Sequence, residues 1–118
     1  MTTPAISVVM TAYNAVDVLP DALDSLSGQS FTDVEFIIVD DGSTDATADI
    51  IQTYADKDQR LRPLLCAENR GIVAAVTDGL AMARAPLIAR ADSDDIHLPE
   101  RLAIQHAYMA EHPDIDLL

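Results

Sequence analysis

The chain has 118 residues, 49% of them hydrophobic, which suffices for one compact domain with a core and is too short for two. Seven Lys and Arg against 20 Asp and Glu give a net charge of -13, which disfavours binding to nucleic acid or anionic lipid. A single cysteine excludes an internal disulfide and a cysteine-built zinc site, and no apolar run is long enough to span a bilayer. We therefore expect a soluble, cytoplasmic domain. Because the chain is strongly acidic, any anionic nucleotide that it binds would need a cation to bridge the two.

The first half of the chain predicts two strand–helix units. Residues 6–11 and 34–40 are β-branched, apolar runs typical of buried strands. After the first run, Asp17 is a candidate cap and Gly28 a candidate end for a helix. Its apolar residues recur at helical spacing: Leu19, Ala22, Leu23 and Leu26. The second run leads into a turn and then a helix whose inward face is predicted to carry Thr47, Ile50, Ile51 and Tyr54.

The second half repeats this alternation. Residues 61–65 predict a third strand, which Pro63 places at a sheet edge. A third helix follows, with an inward face predicted to hold Ile72, Ala75, Val76, Gly79 and Ala83. Residues 87–91 predict a fourth strand, and Pro99 fits the first turn of a last helix that Pro113 ends. Another apolar run, apparently a strand, begins at Ile115.

Alternating strands and helices predict an α/β fold with a Rossmann-like, mainly parallel sheet and helices on both faces. With the third strand at one edge and the fourth beside the first, the strand order is 3-2-1-4. Ligands of such sheets bind at the carboxyl ends of the strands where the winding reverses, here between the first and fourth strands.

Polar residues follow every predicted strand at that edge. Asp92 and Asp94 leave the fourth strand close enough to repel, and a divalent cation with a preference for hard oxygen ligands, Mg²⁺ or Mn²⁺, would relieve the repulsion. Magnesium-like ions need only one or two carboxylates, because water and substrate phosphate complete the coordination. A solvated acidic turn that caps the next helix is the alternative. Arg90 could pair with a carboxylate at this edge.

Other residues at the edge have two interpretations each. Asp41 could accept a base N–H, and Tyr13 could stack on a base or simply pack. Arg70 could touch phosphate or belong to a turn, which we favour. Three residues of the turn after the second strand could either cap the next helix or bind a ligand, and the sequence does not decide between these roles: Asp40, Ser43 and Asp45. We expect Cys66 to be a small core residue, and the histidines to lie on helix surfaces or at caps: His97, His106 and His112.

Five blocks in this order resemble the family 2 glycosyltransferases, which have the GT-A fold. They are residues 7–14 (SVVMTAYN), 39–45 (VDDGSTD), 69–71 (NRG), 92–95 (DSDD) and 99–102 (PERL). The resemblance covers nearly the whole chain, and the ordered set is far more specific than any single block. It implies an inverting transferase that uses a nucleoside-diphosphate sugar, often a uridine one.

The resemblance also implies residue roles. Asp41 would hold the base, Asp92 would face the ribose or sugar, and Asp94 would ligate the Mn²⁺ or Mg²⁺ that bridges the diphosphate. The nucleotide-sugar pocket would be lined by Thr11, Ala12, Tyr13, Asp41, Asn69, Asp92 and Ser93. No carboxylate here matches the family's general base, which we expect beyond residue 118.

We therefore expect residues 1–118 to form a nucleotide-sugar-binding domain, apparently truncated before the acceptor-binding half and inactive alone. The family suggests a glycan or lipid-linked sugar as acceptor, polysaccharide biosynthesis as the pathway, and a place in the cytoplasm or at the inner face of a membrane. Exposed edges would favour self-association into a homo-oligomer.

Two other classes compete with this interpretation. A non-catalytic nucleotide-binding or assembly module would share the same pocket. A magnesium-dependent phosphatase of the haloacid dehalogenase type has a D-x-D signature, but that signature follows the first strand and needs a downstream lysine, whereas Lys57 lies upstream.

Overall fold

A computed structural model describes residues 3–118. Strands and helices alternate throughout, as predicted. The strands are β1 (Ile6–Ala12), β2 (Val34–Asp40), β3 (Leu61–Leu65) and β4 (Leu87–Asp92). The helices are α1 (Leu19–Ser27), α2 (Thr47–Lys57), α3 (Ile72–Met82) and α4 (Arg101–Glu111). No helix of residues 3–118 combines the length and apolarity needed to cross a membrane.

The four strands form one parallel sheet in the order β3-β2-β1-β4, which confirms the predicted fold class. The central strands β1 and β2 are almost entirely buried, which explains their continuous apolar sequences. Because all four strands are parallel, their carboxyl ends meet at one edge, called here the carboxyl edge.

Helices cover both faces of the sheet unequally. Side chains from α1, α2 and α4 pack on one face, where the larger core includes Leu23, Ile51 and Leu102. On the other face α3 packs alone, through Ala75, against alternate residues of β1 and β2. Cys66, predicted as a small core residue, is partly buried and packs at the margin of this second core.

Gly79 allows α3 to pack closely on the sheet. A Cβ at this position would lie 2.8 Å from Val9 Cγ1 and 3.1 Å from Val39 Cγ2. Even an alanine would force the helix away from β1 and β2, so the cost of a mid-helix glycine is offset by backbone approach.

Four predictions about helix ends, strand ends and helix faces are wrong. Helix α1 begins after Val18 without a side-chain cap, so Asp17 is not its cap. Pro99 precedes α4, whose N-cap is Glu100, rather than lying in its first turn. Residues 115–118 form neither strand nor helix. Ile72 is 60% exposed, because the first turn of α3 lies at the carboxyl edge and borders a pocket instead of the sheet.

Candidate functional site

A pocket of about 300 Å³ opens at the carboxyl edge, beside the ends of β1 and β4. All seven residues predicted to bind a nucleotide sugar line it, together with two that the sequence did not indicate. The lining residues are Thr11, Ala12, Tyr13, Asp41, Asn69, Gly71, Ile72, Asp92 and Ser93. The structure therefore gathers residues that lie up to 82 positions apart in sequence, from Thr11 to Ser93, around one cavity.

Tyr13 stands at the mouth of this pocket with 49% of its surface exposed. The turn that carries it is fixed by Asn14, whose positive φ of 48° is tolerated by asparagine. The Asn14 backbone N–H donates to Ser43 Oγ at 2.9 Å, and Asn14 Oδ1 accepts from the Thr44 N–H at 2.8 Å. The turns after β1 and β2 thus hold each other, and Tyr13 is presented to the pocket on an ordered backbone.

Asp41 is buried, and its carboxylate organises the loop after β3. Its Oδ1 accepts the Arg70 backbone N–H at 2.9 Å. Its Oδ2 accepts the Gly71 N–H at 3.0 Å and Asn69 Nδ2 at 3.1 Å. A carboxylate has about four acceptor positions, so Asp41 can still accept one N–H from a ligand after holding this loop.

Gly42 allows the loop after β3 to pack directly against the turn after β2. Its φ is +69°, and a Cβ here would lie 2.3 Å from Asn69 N and 2.3 Å from the Glu68 carbonyl carbon. Only glycine fits this position, since any side chain would push the loop out of reach of Asp41. Arg70 turns away and pairs with Asp78 at 2.9 Å, which favours the turn interpretation over phosphate contact.

The other polar residues of the second turn are engaged in holding it. Asp40 is buried and its Oδ1 accepts the Ser43 N–H at 3.3 Å. Asp45 Oδ1 accepts the Thr47 N–H at 2.9 Å, and the buried Thr47 hydroxyl in turn accepts the Ala15 N–H. These contacts favour a structural role in the turn over ligand binding for Asp40, Ser43 and Asp45, but the expected helix capping is wrong, because the N-cap of α2 is Ala46 and it makes no side-chain cap bond.

A carboxylate cluster lies next to the pocket. Asp92, Asp94 and Asp95 are exposed, and one oxygen from each lies within 4.8 Å of the others. The ion pair that reaches it within residues 3–118 is long, with Arg90 Nη2 3.7 Å from Asp92 Oδ1. Three hard oxygen donors at this spacing fit a Mg²⁺ or Mn²⁺ ion. Asp95 was not among the predicted ligands, although the run DSDD contains it.

Sequence reasoning also missed Gly71 and Ile72 as pocket residues. Periodicity assigned Ile72 to the core because it counts apolar residues along a helix without regard to where the sheet ends. Its position directly after the loop Asn69–Gly71 was the available signal, since that loop ends at the carboxyl edge.

Comparisons with known proteins agree with this architecture. The family model described as Glycosyl transferase family 2 matches residues 7–117. An uncharacterized glycosyltransferase of Haemophilus influenzae is 37% identical over 112 residues, which are 95% of this chain and 45% of that protein. TuaG of Bacillus subtilis, named as a proposed glycosyltransferase of teichuronic acid biosynthesis, is 39% identical over 108 residues, 92% of this chain and 43% of that protein. The chain thus spans less than half the length of these relatives.

Solved structures are similar over the same region. S. aureus TarS in complex with UDP-GlcNAc has a TM-score of 0.85 at 31% identity, covering 92% of this chain and 32% of that one. The mannosyltransferase PcManGT from Pyrobaculum calidifontis, in complex with GDP-Man and Mn²⁺, has a TM-score of 0.84 at 23% identity, covering 93% and 33%. The second likeness shows the shared fold alone.

Proposed function

Because the chain belongs to glycosyl transferase family 2, we propose that it is the donor-binding part of a metal-dependent, inverting glycosyltransferase. The observation that carries the proposal is that a pocket and a carboxylate cluster lie side by side at the carboxyl edge. A pocket of about 300 Å³, lined by both apolar and polar side chains, adjoins a cluster of three exposed carboxylates, and Asp92 belongs to both. A nucleoside diphosphate needs the same pair of features, one for its nucleoside and one for a phosphate-bridging cation.

The donor in this proposal is a uridine diphosphate sugar. TarS, 31% identical over the matched region, has been crystallised with UDP and with UDP-GlcNAc. Tyr13 would stack on the base, since a half-exposed aromatic ring at a pocket mouth offers a π face. Asp41 would accept the base N–H with its remaining acceptor position, and Asp92 would face the ribose or sugar. Thr11 and Ala12 would form the wall along β1.

Asp94 would hold Mn²⁺ or Mg²⁺ in this proposal, with Asp92 and Asp95 within reach of the same ion. When bound, the cation would neutralise the negative charge that develops on the departing diphosphate. Without it, the three carboxylates and a chain of net charge -13 would repel an anionic donor.

The complete reaction is proposed for a protein of the length of these relatives, of which this chain spans less than half. This chain's own residues bind and orient the donor so that an acceptor hydroxyl can attack the anomeric carbon with inversion. A general base beyond residue 118 would take the hydroxyl proton. The proposed acceptor is a glycan or lipid-linked sugar, and residues 1–118 alone would show little transfer. The open edge of β4 would also allow weak self-association into a homo-oligomer.

Calorimetric titration of UDP, UDP-GlcNAc, GDP and GDP-mannose, each with and without Mn²⁺, tests the proposal. We expect metal-dependent binding, with the uridine ligands preferred. Equal affinity with and without metal would refute the metal role, and preference for guanosine ligands would refute the donor assignment. Binding without turnover by a full-length homologue would favour a non-catalytic nucleotide-binding module.

A further inference from the structure

The segment that carries the carboxylate cluster has little structure of its own. Residues 93–98, called here the acidic loop, contain neither helix nor strand. Two local backbone bonds lie at its ends: the Asp95 N–H donates to the Asp92 carbonyl and the Arg101 N–H donates to the Leu98 carbonyl, each at 3.1 Å. A loop of this length, with Asp94 and Asp95 in it and Asp92 directly before it, would adopt many conformations unless distant residues fixed it.

Helix α1 and the residues just after it supply such contacts. The His97 N–H donates to Ser25 Oγ at 2.9 Å. Gln29 Nε2 donates to the Leu98 carbonyl at 2.8 Å, and the Ser30 N–H donates to the Pro99 carbonyl at 2.9 Å. Three consecutive residues after the acidic positions are therefore tied to a segment about 70 positions earlier in sequence.

Gln29 is the centre of these ties. It is only 4% exposed, and its amide is fully used: Nε2 also donates to the Ser25 carbonyl at 3.1 Å, and Oε1 accepts the Leu102 N–H at 3.1 Å. The Leu102 N–H belongs to the first turn of α4, where no intrahelical partner exists. Only a side chain with two donors and an acceptor can hold α1, the acidic loop and α4 together.

Arg101 holds the acidic residues from the other side. Its Nη2 donates to the Arg90 carbonyl at 3.1 Å, two residues before Asp92. Its Nη1 lies 3.0 Å from His97 Nδ1, two residues after Asp95. One planar guanidinium thus spans the two ends of the acidic run, which a lysine ammonium could not do.

The position of the His97 ring is imposed by contacts elsewhere in the fold, because the ring itself is in an unfavourable environment. Since Arg101 can only donate, His97 Nδ1 must accept and the ring proton sits on Nε2. That Nε2 is buried and has no hydrogen-bond partner among the described residues, an arrangement that costs free energy. His97 was expected on a helix surface or at a cap, and instead its ring is half-buried in the loop.

We infer that Gln29 and Arg101 are positioning residues, which set the affinity of the carboxylate cluster for its divalent cation without touching the cation or the nucleotide. This inference rests on the proposed function. Residues that orient metal-binding side chains from behind typically change metal affinity by about ten- to a hundredfold when replaced. The carboxylates remain present in such variants, but they no longer converge.

Manganese titration of the 118-residue chain in the presence of UDP tests the inference, with the variants Gln29→Glu, Arg101→Lys and Ser25→Ala. Gln29→Glu keeps the shape but loses both donors, and Arg101→Lys keeps the charge but loses the fork. We expect Mn²⁺ affinity to fall about ten- to a hundredfold for these two and by less for Ser25→Ala. Gln52→Glu, the same change at an exposed position of α2, is the matched control.

Circular dichroism and urea unfolding of each variant separate positioning from stability. A purely structural role predicts weaker folding with an unchanged Mn²⁺ affinity of the folded chain, and Ser25→Ala remains informative if the other variants unfold. Wild-type Mn²⁺ affinity in folded Gln29→Glu and Arg101→Lys chains would overturn this inference alone. A wild-type chain without metal-dependent UDP binding would overturn the proposed function and the inference with it.

Discussion

Glu35, near the amino ends of the strands, is surrounded by hydrogen-bond donors. By contrast, Asp92, Asp94 and Asp95 at the carboxyl edge are exposed, and within residues 3–118 their one ion pair is the long contact of Asp92 with Arg90. Glu35 is 2% exposed and forms ion pairs with Arg62 at 2.8 Å and Arg84 at 3.0 Å. It also accepts bonds from the Ser7 hydroxyl and the Arg84 backbone N–H.

The two ends therefore use carboxylates for opposite purposes. Burial alone would raise the pKa of Glu35, but the hydrogen bonds from Ser7, Arg62 and Arg84 outweigh it and lower the pKa to about 2. The charge is compensated at neutral pH, and its contacts join β1, β2, β3 and the segment between α3 and β4. At the carboxyl edge like charges are left facing one another, which costs stability and leaves coordination positions for a cation. Carboxylates with partners stabilise the fold, and those without are available to a ligand.

The largest expected effect comes from Glu35→Ala. Removing Glu35 takes the acceptor from the buried Ser7 hydroxyl and the partner from two partly exposed arginines, so we expect the free energy of unfolding to fall by about 3 kcal/mol. Urea unfolding measures it, with Glu111→Ala at an exposed helix end as control. The folded variant should keep wild-type UDP affinity. A loss below about 1 kcal/mol, the range of exposed pairs, would remove the distinction between the two ends.

Lowering the pH should remove the stabilisation that the Glu35 ion pairs provide. Because the folded pKa of Glu35 is lowered from 4.5 to about 2, its contribution is present above pH 4.5 and is lost as the pH falls through about 2. The shift corresponds to a contribution on the order of 3 kcal/mol. Unfolding free energies of wild type and Glu35→Gln, measured between pH 7 and pH 2, should converge at the acid end. Parallel curves would show that the charge of Glu35 does not stabilise the fold.

In contrast to Glu35→Ala, the substitution Asp94→Asn is expected to weaken ligand binding and to leave the stability of the fold intact. UDP affinity in the presence of Mn²⁺ should fall about a hundredfold, or about 2.8 kcal/mol. The metal-free unfolding free energy should stay constant or rise slightly, because repulsion from Asp92 and Asp95 is relieved. Asp33→Asn makes the same charge change at an exposed position before β2. Destabilisation of metal-free Asp94→Asn would show that the cluster is structural.

The smallest effect is expected at Tyr13, which adds stacking rather than charge. Tyr13→Ala should weaken UDP binding by about tenfold, within the 1–3 kcal/mol typical of base–aromatic stacking, and Tyr13→Phe should retain most of the affinity. Tyr108→Ala, at another partly exposed tyrosine on α4, is the control. Calorimetry with Mn²⁺ present measures all three. A loss in Tyr13→Phe as large as in Tyr13→Ala would assign the contribution to the hydroxyl instead.

Much of the pocket could be predicted because it depends on strand ends. Apolar runs locate the strands, and in a parallel sheet the residues after each run must meet at one edge, so Thr11, Asp41 and Asp92 could be grouped from their positions alone. Pro63 supplied the strand order, since a proline lacks the N–H that an inner strand needs. The order of the motifs then added the family and the expected roles.

Tertiary structure decided what each polar group does there. Periodicity could not show that Ile72 lies beyond the sheet and enters the pocket, since it describes one helix and not what lies beneath it. Neither could it show that Asp41 uses three acceptor positions on a loop 28–30 residues away, or that Glu35 is paired whereas Asp94 has no ion-pair partner among residues 3–118. Sequence alone determined the sheet and which side chains reach its carboxyl edge, because those follow from local pattern. Only the folded chain determined which of them hold the protein together and which remain free to bind, because hydrogen bonds across the fold set the partners of each group.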